Sequence, residues 1–368
     1  MAKTSRLESL DIFRGMTVAF MIIVNTPGSW NYVYDPLKHS EWNGCTPADL
    51  VFPFFLLIVG ISTWFSLKKY GFELNGASTI RILRRVAGIF ALGLFLNIFP
   101  YFDRNYSDLR IMGVLQRIAL AYGIGAVICM TIRRDYLWIL VAFILLGYWG
   151  LLSIFGGEHP FSPEGNFALK VDSAILGTRH LYRGFGIPFD PEGLLSTLTA
   201  TCTVIIGFYA GGIVGKGISS YKTAVKLFVV GVALTGLGIL WGKFLPINKP
   251  LWTSSYVLYT AGIGSAVFSF IYWLTDVIGF RKWGLFFSVF GINALFSFFL
   301  SGIWTRILQL IRIPAGESKI NLYTWIYERI FVPVAGNMNG SLVFAIVQMM
   351  IIWGMALILY RKKVLIRL

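Results

Sequence analysis

Lys38-His39-Ser40-Glu41-Trp42-Asn43-Gly44-Cys45-Thr46-Pro47-Ala48-Asp49 runs directly into Leu50-Val51-Phe52-Pro53-Phe54-Phe55-Leu56-Leu57-Ile58-Val59. The apolar half continues to near residue 67, long enough to cross the ~30 Å hydrocarbon layer of a bilayer as a helix. The polar half sets an imidazole and a carboxylate at the rim of that span, where ionisable groups are costly unless used. Runs of similar length recur near 13–31, 47–67, 86–102, 112–132, 136–155, 192–214, 224–242, 253–275, 284–303 and 339–360. They are continuous rather than alternating, which argues against a β-barrel. The expected fold is an all-α polytopic membrane helix bundle of about ten or eleven spans. It forms a single integral membrane domain over residues 1–368.

Composition agrees. Residues are 56% hydrophobic and 13% charged, a balance that calls for lipid as solvent. A formal charge of +15 would point to nucleic acid in a soluble protein. Here most of the 32 lysines and arginines gather in alternate loops, so no nucleic-acid partner is implied. One side carries Lys3, Arg6 and Arg14, then Lys68, Lys69, Arg81, Arg84 and Arg85, Arg133 and Arg134. It continues with Lys216, Lys222 and Lys226, Arg281 and Lys282, and Arg361, Lys362, Lys363 and Arg367. By the positive-inside rule that side is cytoplasmic, and with ten spans both termini are too. His39, His159 and His180, the chain's three histidines, all fall on the other side. The first span starts near Phe13, carries Arg14 and lacks a small-residue cleavage site, so it reads as retained rather than as a cleaved signal.

The long outer segments are the irregular ones. Segment 156–191 is rich in Gly and Pro, and its aromatic residues (Phe161, Phe167, Tyr182, Phe185, Phe189) argue for a packed loop. Segment 304–338 looks amphipathic near Arg306–Arg312 and is expected on the membrane surface. Cys45, Cys129 and Cys202 have no paired spacing, so neither a disulfide framework nor a metal site is indicated.

Several polar residues have both a structural and a chemical use open to them. His39 can act as base or nucleophile, or only bond a loop carbonyl. Asn25 stands before Thr26-Pro27-Gly28, where the helix must unwind; its amide can hold an oxyanion or satisfy the freed backbone. Asp49 sits where a helix N-cap belongs and can also orient His39. Arg14 pairs at i,i+3 with Asp11, or joins Arg84 and Arg85 in an anion site. Arg117, beside Gln116, lies within a span and must face protein or water; Asp103 and Asp108 are its candidate structural partners. Asn248-Lys249-Pro250-Leu251-Trp252-Thr253-Ser254-Ser255 is a second polar island, and Asn293 a lone amide inside a span. The string Gly211-Gly212-Ile213-Val214-Gly215-Lys216-Gly217 looks like a phosphate loop. It lacks the Ser or Thr and the preceding strand, so small-residue helix packing explains it better.

Ser9-Leu10-Asp11-Ile12-Phe13-Arg14-Gly15, Asn25, His39–Gly44 and Ala48–Pro53, with Gly113–Tyr122, Phe189–Thr197 and Asn248–Ser255, resemble the heparan-α-glucosaminide N-acetyltransferase family and its bacterial homologues. Cys45, Pro47 and Phe54 depart from its usual Leu, Val and Trp. The resemblance implies transfer of acetyl from cytoplasmic acetyl-CoA, a co-substrate, to a glucosamine-type amino sugar or glycan on the outer side. No metal takes part, the setting is the lipid of a bacterial inner membrane, and a homodimer is left open. His39 falls on the family's essential histidine and Asn25 on its catalytic asparagine; Asp49 joins them. The expected acetyl-CoA contacts are Arg14, Arg84, Arg85, Arg117, Ser254 and Asn293. Those for the acceptor are Trp42, Asn43, His180, Asp190 and Trp252. Two rivals stand beside this reading: an amino-sugar carrier, and an O-acetyltransferase of a surface polysaccharide.

Overall fold

Helix α1 (Glu8–Asn25) stops where Thr26-Pro27-Gly28 requires. The Tyr323 hydroxyl donates to Pro27 O at 2.6 Å, and Gly28 passes so close to the Tyr327 ring and Ser341 that no Cβ fits. The computed structural model describes residues 7–102, 106–217, 220–315 and 318–366; Lys3, Arg6, Asp103 and Arg367 of the sequence argument lie outside them. A 3₁₀ turn, Pro47–Leu50, closed by a capping box between Thr46 and Asp49, opens α2 (Val51–Lys68). The chain continues through α3 (Gly76–Ile98), α4 (Val114–Thr131), α5 (Arg134–Phe155) and the short α6 (Phe167–Leu176). Then come α7 (Leu194–Lys216), α8 (Tyr221–Trp241), α9 (Ser254–Tyr272), α10 (Leu285–Ile292) and α11 (Ala294–Leu310). An antiparallel hairpin, β1 (Arg312–Ala315) with β2 (Ser318–Asn321), precedes α12 (Leu322–Ile326) and α13 (Val332–Arg361).

Among the described residues seven helices are long and apolar enough to cross a membrane, or eight if α10 and α11 count as one bent span. That is fewer than the expected ten or eleven. Helices α1 and α3 occupy two of the expected spans, but Glu8, Asp11 and Arg14 on one, and Arg81, Arg84 and Arg85 on the other, make them too polar for that count.

Close backbone contact holds the centre. Gly60 of α2 lies against Val204 O of α7, while Gly207 and Gly211 of α7 lie against Leu57 O and Ile61 O of α2; a Cβ at any of them would collide. Gly215 sits under the Trp64 ring, so the glycine string of α7 is indeed a helix-packing surface. These contacts make α2 and α7 parallel neighbours. Gly231 and Gly262 bring α8 and α9 equally close, here as antiparallel neighbours.

Hydrogen bonds sort the connections into two ends. At the terminal end, Ser9 N donates to Asp276 Oδ2 at 3.2 Å, Arg281 pairs with Glu8 at 3.1 Å, and the Arg134 guanidinium lies over the Phe72 ring. The described C-terminal residues return there as well, with Asn293 Nδ2 donating to Val364 O at 3.0 Å and Ile366 N to Asn293 Oδ1 at 2.9 Å. At the site end the loop 26–50 meets 246–253, and Tyr148 donates to Leu251 O at 2.6 Å. Segment 156–191 is packed there, as its aromatic content suggested: Phe185 and Phe189 pack edge-on against Trp42.

Two expectations about the last third change. The span at 284–303 is broken: α10 and α11 meet at 70° across Asn293. Residues 304–310 are not a surface helix but the last turns of α11, whose face bearing Arg306 and Gln309 lines a cavity.

Candidate active site

The two polar islands of the sequence dock on each other. Gly44 N donates to Ile247 O at 2.7 Å, and the fully buried Asn248 amide donates to Trp42 O and Asn43 Oδ1, both at 3.0 Å. Asn248 Oδ1 in turn accepts from Leu251 N at 2.7 Å, which fixes the turn that presents Lys249. Tyr256 of α9 donates to Asp49 O at 2.6 Å and ties the other side of the junction.

Asp49 is completely buried at this junction, and its two oxygens have separate work. Oδ2 receives Ser40 N and Oγ at 3.0 Å and Thr46 N and Oγ1 at 3.1 Å, which closes the loop and caps the helical start. Oδ1 lies 2.8 Å from His39 Nδ1 and accepts from Lys249 Nζ at 3.1 Å. Capping and orienting His39 are therefore both uses of one carboxylate. Lys249 Nζ also lies 3.0 Å from His39 Nδ1. A bare Nδ1 would set a lone pair against the carboxylate at 2.8 Å, so the proton is assigned to Nδ1 and the lone pair to Nε2.

His39 and Asn25 share the wall of a cavity of about 600 Å³. Its sides come from α1 (Met21, Asn25), α3 (Gly93, Asn97), α4 (Gln116) and α11 (Ser301, Arg306, Gln309). Lys249, Trp252, Tyr182 and Phe185 complete the lining near His39. Such a volume lies within the ~300–1,000 Å³ usual for small-molecule sites. The last residue of α1, Asn25 is exposed to this space. The lining also includes Arg110, which donates to both oxygens of buried Asp190 at 2.8 and 2.9 Å and to Glu192 at 2.5 Å. Burial pulls its pKa down, but these two carboxylates outweigh that and raise it above the ordinary arginine value. Cys45 is outside the lining, and burial, with the Asp49 charge adding, pushes its thiol up to about 12. A thiol so seldom ionised is no nucleophile.

Of the residues read from sequence, the structure gathers Asn25, His39, Asp49 and Trp252 around the cavity. Trp42 donates to Phe161 O at 2.7 Å, and Asn43 meets Asn248; both brace the loop. His180 lies within hydrogen-bonding distance of Leu109 O at 2.7 Å, and Asp190 supports the cavity through Arg110. Arg117 is fully buried behind Trp252, 4.9 Å from its ring, and donates to Gly193 O at 3.2 Å and to Ser196 Oγ. Among the described residues no ion pair joins Asp108 to Arg117, and Arg117 Nε and Nη1 meet no hydrogen-bond partner. Ser254 donates to Leu145 O at 2.6 Å, away from the cavity. At the terminal end, Arg14 is held by Asp11 at 3.0 Å, Gly291 O at 3.1 Å and Ser62 at 2.8 Å. Arg85 there lies over the Tyr122 ring, Arg84 is exposed, and Asn293 binds the C-terminal segment. Lys249, Arg110, Glu192, Asn97 and Arg306 were missed as site residues. Lys249 carried one usable signal, a cation inside the second polar island.

Fold and site together define a polytopic helical membrane protein with a histidine–aspartate–lysine cluster at the wall of a cavity. The family model "Heparan-alpha-glucosaminide N-acetyltransferase, catalytic" matches residues 6–161. The human protein named heparan-alpha-glucosaminide N-acetyltransferase is 29% identical over 339 residues, covering 74% of this chain and 49% of the human one. Its mouse counterpart is 28% identical over 338 residues, covering 76% and 50%. By these matches the chain is similar to the heparan-alpha-glucosaminide N-acetyltransferases, its residues 6–161 to their catalytic part. It spans about half the length of the curated relatives it matches.

Proposed function

We propose that this chain is a transmembrane N-acetyltransferase. It moves acetyl from acetyl-CoA in the cytoplasm to the amino group of a glucosamine-type sugar on the other side of a bacterial inner membrane. The observation that carries the reading is the cavity wall shared by Asn25 and His39, with His39 held through Nδ1 by a buried carboxylate. The names of the human and mouse relatives supply the acetyl group and the amino sugar.

The chemistry needs few parts. The acceptor nitrogen attacks the thioester carbonyl carbon while His39 Nε2 takes a proton from the amine. The C–S bond breaks, and the departing thiolate takes that proton from the imidazolium. Acetyl-CoA and amine become acetamide and CoA. Asn25 donates to the carbonyl oxygen as charge develops on it. Asn25→Ala is expected to slow transfer ~10²–10³-fold, the usual cost of losing one oxyanion donor. A change confined to the acceptor KM would assign Asn25 to acceptor binding instead. The donor nucleotide belongs, on this reading, near Arg84 and Arg85 at the terminal end. From Arg85 to Asn97, along α3, is about 18 Å at 1.5 Å per residue, the gap the pantetheine arm must bridge.

Vesicles carrying the protein with its terminal end outward test the sidedness. With glucosamine sealed inside, bath acetyl-CoA is expected to be consumed, free CoA to appear outside and N-acetylglucosamine to accumulate inside. A carrier would deliver unmodified sugar and release no CoA. A one-sided acetyltransferase would need donor and acceptor together in the bath, and an O-acetyltransferase would place the acetyl group on oxygen.

A further inference from the structure

Asp49 is a full negative charge with no exposed surface, and a single imidazole proton does not neutralise it. Lys249 reaches it from a turn 200 residues away, keeping only 18% of its side chain exposed, and comes equally near His39 Nδ1. Asn248 fixes that turn with three side-chain hydrogen bonds, to Trp42 O, Asn43 Oδ1 and Leu251 N, so the lysine is placed rather than merely nearby.

We infer that Lys249 is a positioning residue for His39. Its ammonium balances the charge of Asp49, so the carboxylate holds the imidazole by a hydrogen bond without drawing a second proton onto it. The inference rests on the proposed acetyl transfer and names a residue for it. An Asp49–His39 pair alone favours imidazolium, which has no lone pair for the acceptor's proton. With Lys249 in contact, two cations would stand within 3.0 Å of each other if His39 were protonated. The other charged or titratable groups around His39 are Lys38, Glu41 and Cys45 in its own loop, and Arg110, Tyr182, Glu192 and Arg306 in the cavity lining. Arg110 is already matched by Asp190 and Glu192, which leaves Lys249 as the cation in contact with the imidazole.

The test is the pH dependence of transfer by Lys249→Met, Lys249→Gln and Lys249→Arg in detergent, with wild type alongside. A second readout needs no catalysis: the rate at which diethyl pyrocarbonate modifies His39, followed by mass spectrometry. That reagent attacks only the neutral ring. For Met and Gln, both midpoints are expected to move upward by about one pH unit or more. Transfer at a pH below both midpoints should then fall about tenfold and recover in alkali, while Lys249→Arg stays close to wild type. Unmoved midpoints, with or without a pH-independent loss of rate, would overturn the inference. Should either neutral variant fail to fold, the other decides. If wild type transfers no acetyl group, the proposed function fails, while the modification midpoints still judge Lys249.

Discussion

His39→Ala is expected to lower acetyl transfer by ~10⁴-fold, the upper end for loss of a general base, while CoA still binds. The expectation follows from position. His39 makes its Nδ1 contacts to Asp49 and Lys249 at the site end, so truncating it removes the Nε2 lone pair from the cavity wall and little else. Loop closure does not depend on the ring, because Ser40 and Thr46 meet Asp49 through its other oxygen. His159→Ala is the matching control, since that residue is exposed and outside the cavity. Single-turnover assays with the folded variant measure the loss. Transfer within tenfold of wild type would remove His39 from the chemistry.

Asp49→Asn is expected to cost ~10³–10⁴-fold, comparable to the loss when the orienting carboxylate of a catalytic triad becomes an amide. An asparagine has one carbonyl oxygen and one amino group to offer. Ser40 N and Thr46 N are donors and demand the oxygen, so the amino group must face His39 and Lys249. There it donates to Nδ1, which forces the ring proton onto Nε2 and blocks the lone pair. It also stands against an ammonium with no counter-charge. Transfer rates and a melting curve, taken together, check the claim: the activity loss should far exceed what the fall in folded protein explains. Equal losses in both would reduce Asp49 to a helix cap.

How much of this was legible beforehand can be judged residue by residue. The apolar run after Asp49 announced α2, because a membrane helix is written as one uninterrupted stretch. Proline at 27 announced where α1 stops, and Asp49 announced a helix start, although the cap itself is Thr46 and Asp49 stands three residues on. The glycines of α7 could be read as a packing face because their spacing is local. What escaped was everything set by docking. Nothing near Lys249 says that it meets Asp49, since the pair is formed by two loops held together through Asn248. The same holds for Arg110 with Asp190 and Glu192. Hydropathy could not detect the 70° turn at Asn293 either, because both arms are apolar and the bend costs no charge. Residues 304–310 looked amphipathic for a good reason, but the polar stripe faces a cavity within the protein rather than water above a membrane.

The hydrogen bonds from Asn293 to Val364 and Ile366 put the chain's last described residues in mechanical series with α11. A pull on anything attached beyond Ile366 is carried through that amide to the hinge between α10 and α11, and from there along the helix that bears Ser301, Arg306 and Gln309. One wall of the cavity is thus tied by two hydrogen bonds to the opposite end of the molecule. The wall with His39 and Asp49 stands instead on α2, clamped to α7 by glycine.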